Sequence, residues 1–360
     1  MSQVAARSRP QDYSDFLQLS ARLGSDITRT QGAGGNTSIK ENGIMWVKAS
    51  GTWLSQAEDR EIMVPVEVAP LIEALKQGDP RAEKATDFVV DSINESGLRP
   101  SIETSFHAAL PQAVVAHFHC VNTLALAVLD NGRTLIEQRL AANVPDLICR
   151  FAPYKRPGVP VALEILKVAG DRPDILVLAN HGIIITADTV QEAVERIERV
   201  TAALAIEPRP VAKADSQWLE AAAKNSTYRV AADEATHATA LDPAGLKVAL
   251  GGSLYPDHVI FLGTEIGVLG DGKSVNDLLS EFAARGAPAP KMLVAAGKGV
   301  LLSNDLTPGG EAMARCLAEV VIRVPEGERI RFLTDAEEYE LGNWEAEQYR
   351  QSLDRQTAGQ

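Results

Sequence analysis

The chain has 360 residues, 45% of them hydrophobic and 23% charged, enough apolar mass for one large core or two domains. Its net charge of −13 argues against a nucleic-acid surface, which needs a basic face. No apolar run reaches the roughly 18–20 residues that span a bilayer, and the N-terminus MSQVAARSRPQDYSD lacks the apolar stretch of a signal peptide. Cys120, Cys149 and Cys316 are far apart, the first two in apolar strand-like runs, so they read as reduced core residues of a cytoplasmic protein.

In chain order, YSDFLQLSARLG (13–24) predicts an amphipathic helix stopped at Gly24, followed by the glycine-rich loop QGAGGNTS (31–38). TSIKENGIMWVKASG predicts a hairpin turning at Glu41-Asn42-Gly43. Helical spacing covers 66–77 and 82–96, and IETSFHAAL predicts a helix capped by Ser101. VVAHFHC (114–120) is a strand and NTLALAVLD a helix. LICRFAPYKRPG is a strand entering a Pro-Gly loop, and DILVLANHGIIIT (174–186) is a buried β segment broken at Asn-His-Gly. The helix TVQEAVERIERVTAALA follows, then the proline-bearing linker 206–217. A second α/β segment covers about 218–330. The acidic tail 331–360 reads as helical, with Tyr339, Leu341, Trp344 and Tyr349 on its apolar side.

Side chains alternate along a strand, so His117 and His119 project together on the face of Val115 and Val121. Two imidazoles on an apolar strand need partners. Either they share a metal, or they are core histidines bonded to backbone carbonyls. His181, at a turn that Gly182 permits, supplies a third nitrogen in a chain with only six histidines. Three nitrogens plus substrate or water is an open catalytic zinc site. A β-lactamase-type hydrolase would place Asp and His just after HxH, where Cys120-Val121-Asn122 stand. A cupin would place Glu where Thr123 stands. Glu103 opens the helix before the HFH strand. It is either a carboxylate favoured by the helix dipole or a general base beside the metal, a task best served by a pKa near neutrality. QGAGGNTS, without GxGxxG spacing, offers an anion nest. KASGT (48–52) and Ser101 add hydroxyls.

The motifs GGNTS, KASGT, PSIE, HFH and NHG occur in the order found in the class II aldolase/adducin family, and residues 1–208 resemble its catalytic domain. The resemblance implies a nine-stranded mixed β-sheet flanked by helices, with a smaller α/β C-terminal domain beyond it. It also implies a homo-oligomer, usually a cyclic tetramer with sites at subunit interfaces. His117, His119 and His181 match the Zn2+ ligands, and Glu103 matches the acid/base carboxylate. Gly35, Asn36, Ser50, Gly51 and Ser101 match positions that hold substrate phosphate. One departure is Ile102, where the aldolases carry a second serine. The proton-donor tyrosine does not align, leaving Tyr154, Tyr339 and Tyr349 as candidates. The implied activity is reversible aldol cleavage of a small-molecule sugar phosphate through a metal-stabilised enediolate. The alternatives are an epimerase or decarboxylase using the same site, and a non-catalytic adducin-like module. All three histidines and Glu103 are kept, which favours an enzyme.

YPDHVIFLG and KMLVAAGKGVLL are similar to the region after the aldolase domain in bifunctional aldolase/dehydrogenase proteins, although no GxGxxG follows a strand here. The stretch 290–303 also aligns with 174–186 at constant offset, and LYPDHVIFLG echoes LPQAVVAHFH. One expectation is that 218–330 is a degenerate copy of the catalytic core. In it Lys298 replaces His181, Leu262 takes a ligand position, and Lys298 is free to reach an anion. The other is that strand, glycine turn, strand and helix recur without duplication.

Overall fold

A computed structural model describes residues 9–342. The chain forms two compact units, Met1–Thr123 with Arg133–Ala205, and Leu124–Gly132 with Ile206–Gln360. In the first, α1 (Tyr13–Ser25) precedes the hairpin β1 (Asn36–Glu41) and β2 (Ile44–Lys48). Asn42 and Gly43 turn it with φ of 50° and 81°, the positive pair of a tight hairpin turn. β3 (Met63–Glu67) and α2 (Val68–Gln77) follow, then α3 (Thr104–Ala109), β4 (Val114–Phe118), α4 (Val121–Ala127), which passes into the second unit at Leu124, and α5 (Gly132–Asn143). The unit closes with β5 (Cys149–Ala152), α6 (Val159–Ala169), β6 (Ile175–Leu178), β7 (Gly182–Ala187) and α7 (Val190–Ala203).

These strands make a mixed sheet in the order β3-β2-β1-β4-β7-β6-β5. Only β5 and β6 are parallel, and α6 supplies the crossover that parallel neighbours need. β4, β6 and β7 are buried along their whole length, which explains why they are apolar on both faces apart from His117 and Thr186. Val115, Leu176, Leu178 and Ile184 pack with Phe106 of α3 and Ile165 of α6 in the main core.

Four expectations change. The sheet has seven strands rather than nine among the described residues, because the flanking segments touch it only through isolated bridges, Ala49 with Pro100 and Val66 with Val89. The helix expected over 82–96 is a series of 3₁₀ turns, Pro80–Glu83, Ala85–Phe88 and Asp91–Ile93. Val90 donates its N–H to Pro65 O on the edge strand, a bond a continuous helix would not allow. α2 begins at Val68 because 63–67 is β3. α3 begins at Thr104, after Glu103, with Ser101 in the preceding turn.

The second unit contains α8 (Ser216–Ala223), β8 (Tyr228–Val230), α9 (Ala238–Leu241), α10 (Pro243–Ala249), β9 (Gly267–Val268) and α11 (Val275–Ala284). β10 (Met292–Ala295), β11 (Gly299–Ser303), α12 (Pro308–Val321) and α13 (Asp335–Gly342) complete it. Its sheet runs β8-β11-β10-β9. The strand expected in LYPDHVIFLG is instead a π-helix, His258–Leu262, ended by Gly263 at φ 84°. Leu262 therefore takes no ligand position on a strand. Lys298 pairs with Asp215 at 2.8 Å, so it is not free for an anion. Cys120 and Cys316 are buried and Cys149 half-buried, and none of the three is in a disulfide. Tyr339 is exposed on α13, while Trp344 and Tyr349 lie outside the described residues. No described helix is long and apolar enough to cross a membrane.

Candidate active site

His117 is fully buried in β4, and its Nδ1 donates to Ile183 O on β7 at 3.1 Å. That bond leaves the Nε2 lone pair facing the site. Burial pushes this imidazole down to about 3, so it is neutral, as a metal ligand must be. His119, one residue past the strand, brings its Nε2 to 3.1 Å from His117 Nε2. Gln31 of the glycine-rich loop holds the His119 carbonyl at 3.2 Å. His181 closes the β6–β7 turn after Asn180, whose φ is 50°. The three imidazoles are buried, with ligand nitrogens all within 4.8 Å of one another.

Two nitrogens on a tetrahedral zinc at 2.0–2.1 Å stand roughly 3.3 Å apart, so the His117–His119 gap suits a shared divalent ion. His181 Nδ1 and Glu103 Oε1 are buried without hydrogen-bond partners. Three nitrogens beside a carboxylate fit an open, three-ligand metal site. Gly182 keeps the ring space clear: a Cβ there would stand 2.8 Å from Phe118 O and 3.0 Å from His119 Cδ2. Gly182→Ala is expected to destabilise the fold by about 1–3 kcal/mol and to weaken metal binding, measured by thermal unfolding and metal titration.

Glu103 sits immediately before α3, one carboxylate oxygen 3.2 Å from His181 Nε2 and the other 3.6 Å from His117 Nε2. Burial raises its carboxyl, but the positive charge the imidazoles would carry when protonated, His117 first, and the His181 contact outweigh that and hold it well below the ordinary carboxylate range. The direction is opposite to the shift toward neutrality that general-base duty favours. It leaves Glu103 ionised and able to accept a proton.

The residues expected to hold phosphate divide into two groups. Asn36 and Ser101 join Glu103. Asn36 Nδ2 donates to Glu103 Oε2 at 2.7 Å and to Ser101 Oγ at 3.1 Å, and Ser101 Oγ accepts the Glu103 N–H at 3.2 Å. Both amide donors of Asn36 are thus committed within the protein. Gly35, at φ 63°, lets β1 approach β4, since a Cβ would stand 2.9 Å from His117 O. Ser50 and Gly51 form the other group, in a turn tied to the Ser101 segment by Ser50 N–H to Arg99 O at 2.9 Å and Ser101 N–H to Lys48 O at 3.0 Å; Gly51 has φ 75° and Ser50 Oγ is buried without a partner.

Two residues went unmarked in the sequence. Lys48 is buried, and its Nζ donates to Ala33 O at 2.9 Å and Thr52 O at 2.6 Å. It thereby ties the glycine-rich loop to the Ser50 loop. His107 is buried one helical turn past Glu103; its Nδ1 lies 2.8 Å from Ser38 Oγ and its Nε2 bonds Asn36 Oδ1. The available signal was an i, i+4 pairing of Glu103 with His107, hidden by a helix that reads as core.

Residues 17–207, just over half the chain, match the sequence profile of the Class II Aldolase and Adducin N-terminal domain. The chain belongs to the class II aldolase/adducin family. It is 27% identical over 205 residues to the protein named uncharacterized oxidoreductase YuxG of Bacillus subtilis (strain 168), covering 53% of this chain and 29% of that one. It is 32% identical over 120 residues to 3-oxo-tetronate 4-phosphate decarboxylase of Escherichia coli (strain K12), covering 29% of this chain and 53% of that one. The chain thus spans about half or less of these curated relatives. Among solved structures it is similar to the N-terminal class II aldolase domain of a conserved protein from Thermoplasma acidophilum, at 28% identity and a TM-score of 0.46, covering 57% of this chain and 97% of that one. It is also similar to an L-fuculose-1-phosphate aldolase from Thermus thermophilus, at 14% identity and a TM-score of 0.38, covering 55% and 93%.

Proposed function

We propose that this chain is a metal-dependent aldolase that reversibly cleaves a small ketose phosphate. The observation that carries the reading is the buried Glu103 side chain beside three converging buried imidazoles, its carboxyl oxygen 3.2 Å from the nearest. Zinc held by His117, His119 and His181 would supply Lewis-acid polarisation of a carbonyl and its neighbouring hydroxyl. Glu103 then moves the proton on the adjacent carbon, a role usually worth about 10²–10⁴ in rate. Asn36 and Ser101 fix the carboxylate. Ser50 Oγ, unpartnered in its turn, offers a donor to a substrate phosphate, and binding there orients the reacting end.

Decarboxylation of a sugar-acid phosphate is the second reading. The similarity to 3-oxo-tetronate 4-phosphate decarboxylase over 120 residues favours it, and it needs the same polarised carbonyl. Incubation with dihydroxyacetone phosphate and short aldehydes should give a new carbon–carbon bond on the aldolase reading. Carbon dioxide release from a 3-oxo sugar-acid phosphate, without aldol addition, would transfer the assignment to the decarboxylase. Neither reaction in metal-replete protein would sink both readings.

A further inference from the structure

We infer that His107 is a positioning residue for Glu103, acting through the Asn36 amide. The inference rests on the reading that Glu103 transfers the proton. Glu103 as a carboxylate only accepts, so the Asn36 edge facing it must be the NH₂, as the 2.7 Å contact shows. The other edge of the amide is then the carbonyl, and His107 Nε2–H donates to it. His107 Nδ1 must accept, and Ser38 Oγ–H donates to it at 2.8 Å. One directed chain therefore runs Ser38 to His107 to Asn36 to Glu103. All four side chains are buried, so water does not replace a lost link freely. Without His107, Asn36 Oδ1 loses the donor described there, and the amide is held only by its NH₂ contacts to Glu103 and Ser101.

The test compares His107→Ala, His107→Gln and Asn36→Ala for metal content, kcat and KM of donor-proton exchange. His107→Ala should keep its metal and its KM and lose kcat by about 10- to 100-fold, the usual effect of removing a group that orients a ligand or base. Glutamine, which can place an N–H near the lost Nε2, should recover most of that rate. The Asn36→Ala/His107→Ala double variant should be no slower than Asn36→Ala, since both act on one link. Wild-type kcat in His107→Ala, or additive losses in the double variant, would overturn the proposal. If Glu103→Gln itself keeps full activity, the reading of Glu103 fails instead, which separates the two cases.

A different observation carries a second inference: the second unit repeats the half-sheet that bears the imidazoles, with the metal site replaced by an ion pair. Three strands recur 117 residues later with unchanged pairing. Arg150 opposite Leu176 becomes Gly267 opposite Leu293, both pairs parallel. Ile175 opposite Ile185 becomes Met292 opposite Leu302, and Leu178 opposite Gly182 becomes Ala295 opposite Gly299. Bonds outside the ladders recur too: Thr186 N to Asp174 O at 3.0 Å, and Ser303 N to Lys291 O at 2.9 Å. Asn180 and Gly297 share the positive φ of the turn. Core positions follow the same offset, Ile165 with Phe282 and Ile184 with Leu301. A one-residue slip would reverse every side chain, so agreement across both strand-pair registers is more than a shared succession of elements.

β8 takes the place of β4, antiparallel to the second hairpin strand. Val115 opposite Thr186 corresponds to Tyr228 opposite Ser303, which puts Val230 where His117 stands and Ala232 where His119 stands. The helix before each strand starts after a carboxylate, Glu103 for α3 and Asp215 for α8. Glu103 lies 3.2 Å from His181; Asp215 lies 2.8 Å from Lys298 at the equivalent turn position. Leu219 and His237 fill the space beside Gly299, where a Cβ would meet each at 2.8 Å. The lysine ammonium supplies the positive charge, and the copy is silent.

A crystal structure that shifts either of the two registers overturns the repeat; retention of both supports it. Lys298→Met should keep wild-type activity and metal content. A loss of about tenfold or more in kcat/KM with metal retained, a full free-energy step in catalysis, would show a working site and overturn the silent assignment.

Discussion

Glu103→Gln is expected to fold, hold its metal and lose proton exchange at the donor carbon by at least about 10²-fold, the lower end of what a placed acid/base group contributes. The replacement is nearly isosteric, and its Oε1 can still accept from Asn36 Nδ2, which holds the carboxylate at 2.7 Å. What it cannot do is accept a proton at neutral pH. The fold should hold because Glu103 stands among imidazoles rather than in an ion pair with Arg or Lys. Exchange of the hydroxymethyl protons of dihydroxyacetone phosphate in D₂O, followed by NMR, reads the effect. A loss below about threefold, too small for an acid/base role, would return Glu103 to service as a helix-start carboxylate.

His119→Ala is expected to abolish both metal and activity. Its Nε2 is 3.1 Å from that of His117, and no fourth described imidazole joins the cluster. Two histidines hold a divalent ion far less firmly than three. Elemental analysis should give a metal content near background and exchange at the rate of metal-free wild type. Circular dichroism should remain native, which separates loss of the ligand from loss of the fold. Full metal in this variant would remove His119 from the ligand set.

The site was largely legible because its chemistry departs from its setting. Histidines at 117 and 119 in an all-apolar strand, and at 181 beside a glycine, have few reasons to be there other than a shared ion or a buried hydrogen bond. The second-layer residues were not legible. His107 and Lys48 act through buried contacts to Asn36 Oδ1, Ala33 O and Thr52 O, and those partners are set by sheet register rather than local spacing. β3 was hidden by Pro65, which lacks an N–H and so suggests a break. It is tolerated because β3 is the sheet edge. The helix assigned to 82–96 failed for a related reason: its spacing is helical, but Val90 N–H bonds Pro65 O on that edge and the segment closes local 3₁₀ turns around it. The repeat around Gly299 was visible as an apolar pattern, whereas the place of β4 went to the wrong segment. VIFLG reads as a strand, but it forms a π-helix, and the short, half-buried β8 occupies the position.

Metal-dependent deuterium exchange tests the account most directly. Wild-type protein, stripped with a chelator and then reloaded with zinc, is incubated with dihydroxyacetone phosphate in D₂O. Exchange at the hydroxymethyl carbon should vanish on stripping and return in proportion to zinc bound, saturating near one ion per chain, since His117, His119 and His181 are the one such cluster among the described residues. Exchange that continues unchanged in the stripped protein would contradict the assignment of these imidazoles and Glu103 as the reacting centre.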